Sequence, residues 1–499
     1  MEETRVLSTV ISARSDGTRD FLPLTGIFAF SLVMVNGFFF LVVGQVDYQD
    51  KRFAQLLTPN TFMRREGAGR LIDRSIRPLF PAEFYHDIQM FAVNATSAAL
   101  TSSDIPWGGP IGVIRLGRNC GKLIVNPTID ELTLSDLNLV YACTRDRTLM
   151  MDVQALGISE NDLKDALRVA HTEEVKCLEP QRRLAHKAGK EKHEYKLSMV
   201  SEETYEKIRS LSEAPIEALF TNSAYGKFER GEALDSITLD VKKKLEEECD
   251  DEGLKFLSKT LSTVRKKLVC KRILIEGLRA DGRRPDEVRS LICRVGNLPV
   301  LDGSSLFNLG DTHVLCTTTI ESLRGPPSKQ FMLHHSFPPF CINEVGERVG
   351  LNRSEVGHEV ITCDGSTSMA SVCAGSMAMM NAGVPLSGHV AGVSMGLISD
   401  TDPPTVEITD YQLLTDILGS EDHLVDMGLK IAGTRNGITT IQLDTKTAGI
   451  RLDIVCECLE TANKALFQIL DNMEREISSP RSVLMKTTNN TPTPTTATW

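Results

Sequence analysis

Ala142-Cys143-Thr144-Arg145-Asp146 returns far down the chain, little changed, as Ala432-Gly433-Thr434-Arg435-Asn436. Two further matches run in the same order. Glu3-Thr4-x-Val6-Leu7-x-Thr9 parallels Asp311-Thr312-x-Val314-Leu315-x-Thr317. Ser97-Ala98, Pro106 and Gly112-Val113 parallel Ser376-Met377, Pro385 and Gly392-Val393, with equal Ser-to-Pro spacing and a Pro-to-Gly spacing that differs by one residue. Three ordered matches at offsets of roughly 280 to 310 residues are the mark of an internal repeat. The chain reads as two copies of one unit. Strand-type runs at 312–320 and 438–443 alternate with a small-residue helix over 366–381, closed by Gly383 and Pro385, which makes the unit α+β.

Between the copies the character changes. Leu163, Ala166, Leu167 and Ala170 recur at helical spacing among charges, and the run Lys242-Lys243-Lys244-Leu245-Glu246-Glu247-Glu248 sets opposite charges four apart, as on a solvated helix face. The expected division is a first unit at 1–158, an all-helical domain at 159–277, a second unit at 278–477 and a disordered, Thr-rich tail at 478–499. A length of 499 residues suits about three domains. Hydrophobic residues at 41% and charged residues at 24% exclude wholesale disorder. A net charge of −11 excludes a general basic coat for duplex nucleic acid, but not a local basic channel. The 12 Cys form no C-x-x-C pair, which argues against structural zinc and for a reducing compartment.

Residues 26–46 (GIFAFSLVMVNGFFFLVVGQV) are almost wholly apolar and long enough to span a bilayer. Glu2, Glu3 and Asp16 precede them and no small-residue cleavage site follows, so they do not read as a signal peptide.

Three segments carry candidate chemistry. Asp364-Gly365-Ser366-Thr367-Ser368 leads directly into a helix, whose free N–H groups and positive dipole end favour an anion, although Ser and Thr are also ordinary helix caps. Asp422-His423-Leu424-Val425-Asp426-Met427-Gly428-Leu429-Lys430 brings two carboxylates and a lysine within reach of a divalent metal and a phosphoryl oxygen, or is simply a charged loop. The first copy has Val140 where the second has Lys430, which assigns any chemistry to the second copy. Arg64, Arg65, Arg70, Arg74 and Arg77 face only Glu66 and Asp73, beside Phe62, as a phosphate grip or as a structural ion-pair network. Arg353 and His358 lie in a fourth polar stretch, where His358 is either a nucleotide contact or a packing residue.

These strings resemble polynucleotide phosphorylase, the phosphate-dependent 3′→5′ exoribonuclease, and most closely its plant organellar, especially chloroplast, form. The resemblance runs from about Asp20 to Arg481 through RLIDR (70–74), IRPLFP (76–81), FMLH (331–334), FPPF (337–340), GSTSMA (365–370) and TDILG (415–419). It implies two ribonuclease PH-like domains (ribosomal protein S5 domain 2-like) flanking an all-helical domain. It also implies that Ser366, Thr367 and Ser368 hold the attacking phosphate, that Asp422 is a catalytic and Mg²⁺-binding residue, and that Lys430 belongs to the same centre. Arg64 and Arg65 would grip single-stranded RNA in the pore of a homotrimer, and Arg353 and His358 would guide its 3′ end.

Departures from the family pattern temper that expectation. The family reads HLGDMDFK after the equivalent of Asp422; here HLVDMGLK places Gly428 where a metal-ligand aspartate belongs, with Asp426 the nearest substitute. Ser354 replaces an arginine, and a helix and strand between His358 and Asp364 are missing. FLPLT (21–25) and VDYQ (46–49), continuous in the family, are split by residues 26–45, which therefore read as translated intron rather than a membrane span. The family's KH and S1 domains are not expected in this chain. The expectation is thus a chloroplast protein (mitochondrion or cytoplasm as alternatives), with phosphorolysis reduced or lost. Its rivals are a non-catalytic RNA-binding or ring-assembly subunit, a defective gene product, and a protein anchored in a membrane at 26–46.

Overall fold

A computed structural model describes residues 11–14, 29–35, 38–44, 74–79, 86–89, 93–192, 200–221, 225–247, 251–320, 365–400, 408 and 410–481. The first copy holds β1 (Ile11–Arg14), β2 (Ala29–Val35), β3 (Phe38–Gly44), β4 (His86–Gln89), α1 (Val93–Ser102), β5 (Gly112–Asn119), β6 (Lys122–Val125), α2 (Ile129–Thr133), β7 (Leu137–Cys143), β8 (Thr148–Ile158) and α3 (Glu160–Ala188). Helices α4 (Glu202–Thr221), α5 (Lys227–Glu247) and α6 (Asp251–Glu276) follow. The second copy holds β9 (Leu291–Val295), β10 (Gly303–Leu309), β11 (Thr312–Thr318), α7 (Thr367–Asn381), β12 (Ala391–Ser399), β13 (Tyr411–Thr415), α8 (Gly419–Asp422), β14 (Met427–Thr434), β15 (Gly437–Thr445) and α9 (Leu452–Glu476).

The repeat is visible in the main sheet, whose strand order is β13-β12-β14-β15-β8-β7-β5-β6. Read outward from the centre, β15-β14-β12-β13 and β8-β7-β5-β6 are the same arrangement twice, joined by antiparallel pairing of β15 with β8. Equivalent residues do equivalent work. Ser97 Oγ on α1 accepts from Ile111 N at 2.9 Å, and Ser376 Oγ on α7 accepts from Val390 N at 3.0 Å. In the hairpin turns, Thr144 Oγ1 donates to Arg147 O and Thr434 Oγ1 to Gly437 O, both at 3.4 Å. The ladder shifts one sequence match by a residue. Val113, not Gly112, is the counterpart of Gly392, since they pair with Ala142 and Ala432 respectively. With Val113 as the counterpart, the spacing from Pro106 equals that from Pro385 to Gly392, and the one-residue difference disappears. The match of residues 3–9 lies outside the described residues.

Side-chain alternation decides the two faces of the sheet. On β14, Met427, Leu429 and Ile431 are buried while Gly428 and Lys430 are half-buried. The apolar side joins Leu139, Val153, Leu429 and Leu443 to α3 and α9 in one core. The expected boundary at 158 falls before α3, yet Leu163, Ala166, Leu167 and Ala170 of α3 pack on the sheet as Val455, Cys458, Leu459 and Ala462 of α9 do. The remaining helices form a separate core that takes in Ile398, Leu414, Ile417, Leu424 and Val425 of the second copy. The all-helical module therefore docks on the loop that leads to Asp422.

Strands β2 and β3 pair antiparallel, from Ala29 with Gly44 to Val35 with Phe38. Among the described residues no helix is long and apolar enough to cross a membrane.

Candidate active site

Gly365 at φ +91° and Ser366 at φ +54° turn the chain into α7 through the left-handed region. A Cβ at residue 365 would stand 2.4 Å from Gly419 N and 2.6 Å from Leu418 C, so only glycine lets the two backbones meet. The first amides to bond back into the helix are those of Met369 and Ala370, both to Ser366 O at 3.1 Å. The amides before them open at the positive end of a fifteen-residue helix. Ser366 makes no cap bond, and its buried Oγ has no hydrogen-bond partner. A buried hydroxyl left unpaired is costly, which makes it a natural donor to an anion seated there. Thr367 is buried and Ser368 half-buried beside it. The three hydroxyl residues named from the sequence thus share one helix start.

The contact at Gly365 places this cradle against α8, whose last residue is Asp422. Asp422 is exposed, and its backbone carbonyl accepts from Lys446 Nζ. Desolvation lowers the Lys446 ammonium pKa, with Asp422 opposing the shift. Gly428 on β14 lies alongside: an ideal Cβ there would be 3.9 Å from Asp422 Oδ1, with no other described residue but its chain neighbours within 4 Å. Lys430 follows two residues on, on the same face of the strand, in register with Ser394 of β12 and Gln442 of β15. The ladder also sets Val140 opposite Arg115 and Asp152 at the equivalent point of the first copy. The point equivalent to Lys430 in the first copy thus carries an apolar side chain.

The acidic neighbours are committed elsewhere. Asp426 is engaged through both carboxylate oxygens. It is buried, its Oδ2 accepts from Ser399 N at 3.0 Å and Ser399 Oγ at 2.8 Å, and its Oδ1 pairs with Lys266 of α6 at 3.0 Å. Asp444, in register with Gly428, is paired with Arg74 and accepts from Gln442 Nε2 at 3.1 Å. Arg74 also reaches Asp152 at 3.1 Å and donates to Leu443 O and Met151 O, so this arginine serves the seam between the copies. Among the described residues no group of three His, Cys, Asp or Glu side chains could hold a metal ion. Of the carboxylates near Asp422, Asp426 and Asp444 are thus held by partners of their own.

Sequence reasoning missed the supports of this site. Arg279 and Glu421 form an ion pair with both side chains fully buried, and Arg279 also donates to Thr415 O at 2.5 Å and Asp416 O at 2.9 Å. Arg289 grips Asp416 through Nε and Nη2 at 2.8 and 2.7 Å. Ser394 Oγ, buried and unpartnered, adds a second orphan hydroxyl in register with Lys430. The one sequence signal for the clamps is a cluster of arginines at 279, 283, 284 and 289, close after the helical run. Arg64, Arg65, Arg353 and His358 lie outside the described residues, as do Ser354 and the gap before Asp364.

Comparison with known proteins places this geometry. Family models match at residues 109–173 ("3' exoribonuclease family, domain 2"), 203–284 ("Polyribonucleotide nucleotidyltransferase, RNA binding domain") and 287–359 ("3' exoribonuclease family, domain 1"). A polyribonucleotide nucleotidyltransferase 2, mitochondrial, of Arabidopsis thaliana is 56% identical over 539 positions, covering 96% of this chain and 52% of its own. Those 539 positions exceed the 499 residues here, so the relative carries internal stretches with no counterpart in this chain. The rice protein of the same name is 55% identical, with 97% and 54% covered. The chain thus spans about half the length of these plant relatives. Both are mitochondrial by name, so the chloroplast form expected from the resemblance is not supported. The polyribonucleotide nucleotidyltransferase of Geobacillus kaustophilus is 36% identical, with 97% of this chain and 71% of that protein covered. Rice Rrp46, a solved structure, aligns with 39% of this chain and 98% of its own at 19% identity and a TM-score of 0.29, too distant to add to the fold described above. With its duplicated ribonuclease PH-like units, the helical module between them and relatives matched over most of their length, the chain belongs to the polyribonucleotide nucleotidyltransferase family.

Proposed function

We propose that this chain binds the 3′ ends of single-stranded RNA and inorganic phosphate, and that its phosphorolysis of RNA to nucleoside diphosphates is much reduced. The observation that carries this reading is the pairing of an unpartnered helix start at Ser366–Ser368 with a glycine at 428, whose Cβ position would stand 3.9 Å from Asp422 Oδ1. In the proposed reaction the amides and hydroxyls at the start of α7 seat the phosphate. That phosphate attacks the terminal phosphodiester, and Lys430 stands where it offsets charge on the transferring group. Arg64, Arg65, Arg353 and His358 are proposed to hold the RNA, within a homotrimer. Mitochondria are the proposed location, in line with the names of the plant relatives.

The same glycine favours a second reading, a non-catalytic RNA-binding or ring-assembly subunit. One assay separates the two. Incubation with oligo(A), phosphate and Mg²⁺ is expected to release nucleoside diphosphate slowly, and Gly428→Asp is expected to raise the rate on the order of 10²-fold. A Cβ at residue 428 meets Asp422 Oδ1 at 3.9 Å, an ordinary contact, and the variant sets a second carboxylate beside Asp422. Equal rates in the two proteins overturn the role given to Gly428. RNA retention with no turnover in either favours the subunit reading.

A further inference from the structure

We infer that Thr312 and Arg289 are positioning residues that aim the first amide of the phosphate cradle and hold it against the loop bearing Asp422. This rests on the reading of Ser366–Ser368 as a phosphate site. Thr312 opens β11, within a stretch that the repeat singles out but to which no chemistry has been attached. Its Oγ1 donates to Gly365 O at 3.1 Å and accepts from Arg289 Nη1 at 3.4 Å. Arg289 in turn grips Asp416, with its own backbone N donating to Asp416 Oδ2 at 2.9 Å. Arg289, Thr312 and Asp416 are all buried. Asp416 sits in the left-handed region at φ +54°, and its amide donates to Ser394 O at 2.8 Å. The relay therefore runs from the cradle at Gly365, through Thr312 and Arg289, into the loop at 416–422.

The relay does more than fill space because of peptide geometry. The carbonyl of Gly365 and the amide of Ser366 share one rigid plane and point in opposite directions. Fixing Gly365 O fixes where Ser366 N–H points. Both residues have positive φ, which Gly365 tolerates and Ser366 adopts at a cost, so a local tether is needed to hold the peptide in one orientation. Thr312 has a single hydroxyl proton and spends it on that carbonyl. The contact that Thr312 makes here is to the backbone carbonyl of Gly365, so its influence is on the geometry of the cradle.

The test measures inorganic phosphate binding by calorimetry, together with hydrogen exchange at the amides of residues 366–370, on the full chain. Thr312→Val keeps the shape and removes the hydroxyl. It is expected to weaken phosphate binding about tenfold and to speed exchange at 366–370, with little change in melting temperature. Thr312→Ser should restore both properties, and Arg289→Lys, which keeps the charge but loses the fork, should fall between. Unchanged phosphate affinity and unchanged local exchange in Thr312→Val overturn the inference, as does faster exchange spread evenly over the molecule. If the unmodified chain takes up no phosphate, the reading of the cradle falls. The exchange at 366–370 in Thr312→Val still decides the relay.

Discussion

Glu174 shows what a single residue contributes. It lies on α3 with no exposed surface, and neither carboxylate oxygen has a partner. A Cβ on Gly112 would lie 1.8 Å from its Oε1, so the absence of a side chain on β5 is what makes space for it. Burial alone pushes its carboxyl up to about 8, and burial first, with the Glu174 charge adding to it, raises the thiols of Cys143 and Cys177 and the Tyr141 hydroxyl. In the second copy the equivalent position on α9 is Leu466, an ordinary core residue. The folded chain therefore holds a proton that the unfolded chain releases near 4.5. The stability this contributes is full below about 4.5 and is lost as pH climbs towards 8, by on the order of 4 kcal/mol. Glu174→Gln should remove that loss. Urea titrations at pH 5 and pH 8 should show a much smaller drop for the variant than for the parent, and equal drops would refute the assignment. At this scale much was legible in the sequence. Ser366, Thr367, Ser368, Asp422 and Gly428 stand in local motifs that single them out as candidates. Arg289 and Asp416 do not, because ion pairs between residues so far apart in sequence leave no local pattern.

Among the elements, α8 is the one that most needs help. Four residues are too few to hold a helix by their own hydrogen bonds. Its support is external: Glu421 Oε2 accepts from Leu418 N at 2.9 Å while both carboxylate oxygens take the guanidinium of Arg279. Glu421→Gln leaves that guanidinium buried without a counter-charge, and is expected to cost about 3–5 kcal/mol in urea unfolding. Its loss should be felt first at 415–422, where amide exchange should rise before it does in β14. A variant as stable as the parent would show that packing from α6 alone holds the loop. The elements themselves were largely readable. The strand runs at 312–320 and 438–443, the helix at 366–381 and the helical spacing in α3 follow from period, and the repeat foretold that strands and helices would recur in one order. Which helices belong to which core was not readable, because α3 carries the same apolar stripe whether it covers a sheet or another helix.

On the scale of the whole molecule, the eight-stranded sheet makes one body of two copies. Hydrogen bonds run through the β8–β15 seam, and Arg74 ties Asp152 of one copy to Asp444 of the other. The two copies should accordingly unfold together: amide exchange in β7 and in β14 should give way at the same urea concentration, and two separate midpoints would contradict a shared sheet. The helical module, with its own core and a smaller contact on the second copy, is free to open at lower urea. The seam has a further consequence in the language of quaternary structure. Two like edges meeting antiparallel about an approximate two-fold axis are what a symmetric homodimer presents. Here both partners lie on one polypeptide, so the pairing is intramolecular and independent of protein concentration. Separate the copies, and each keeps a long, unpaired edge strand, β8 or β15, already shaped to capture a second molecule of its own kind.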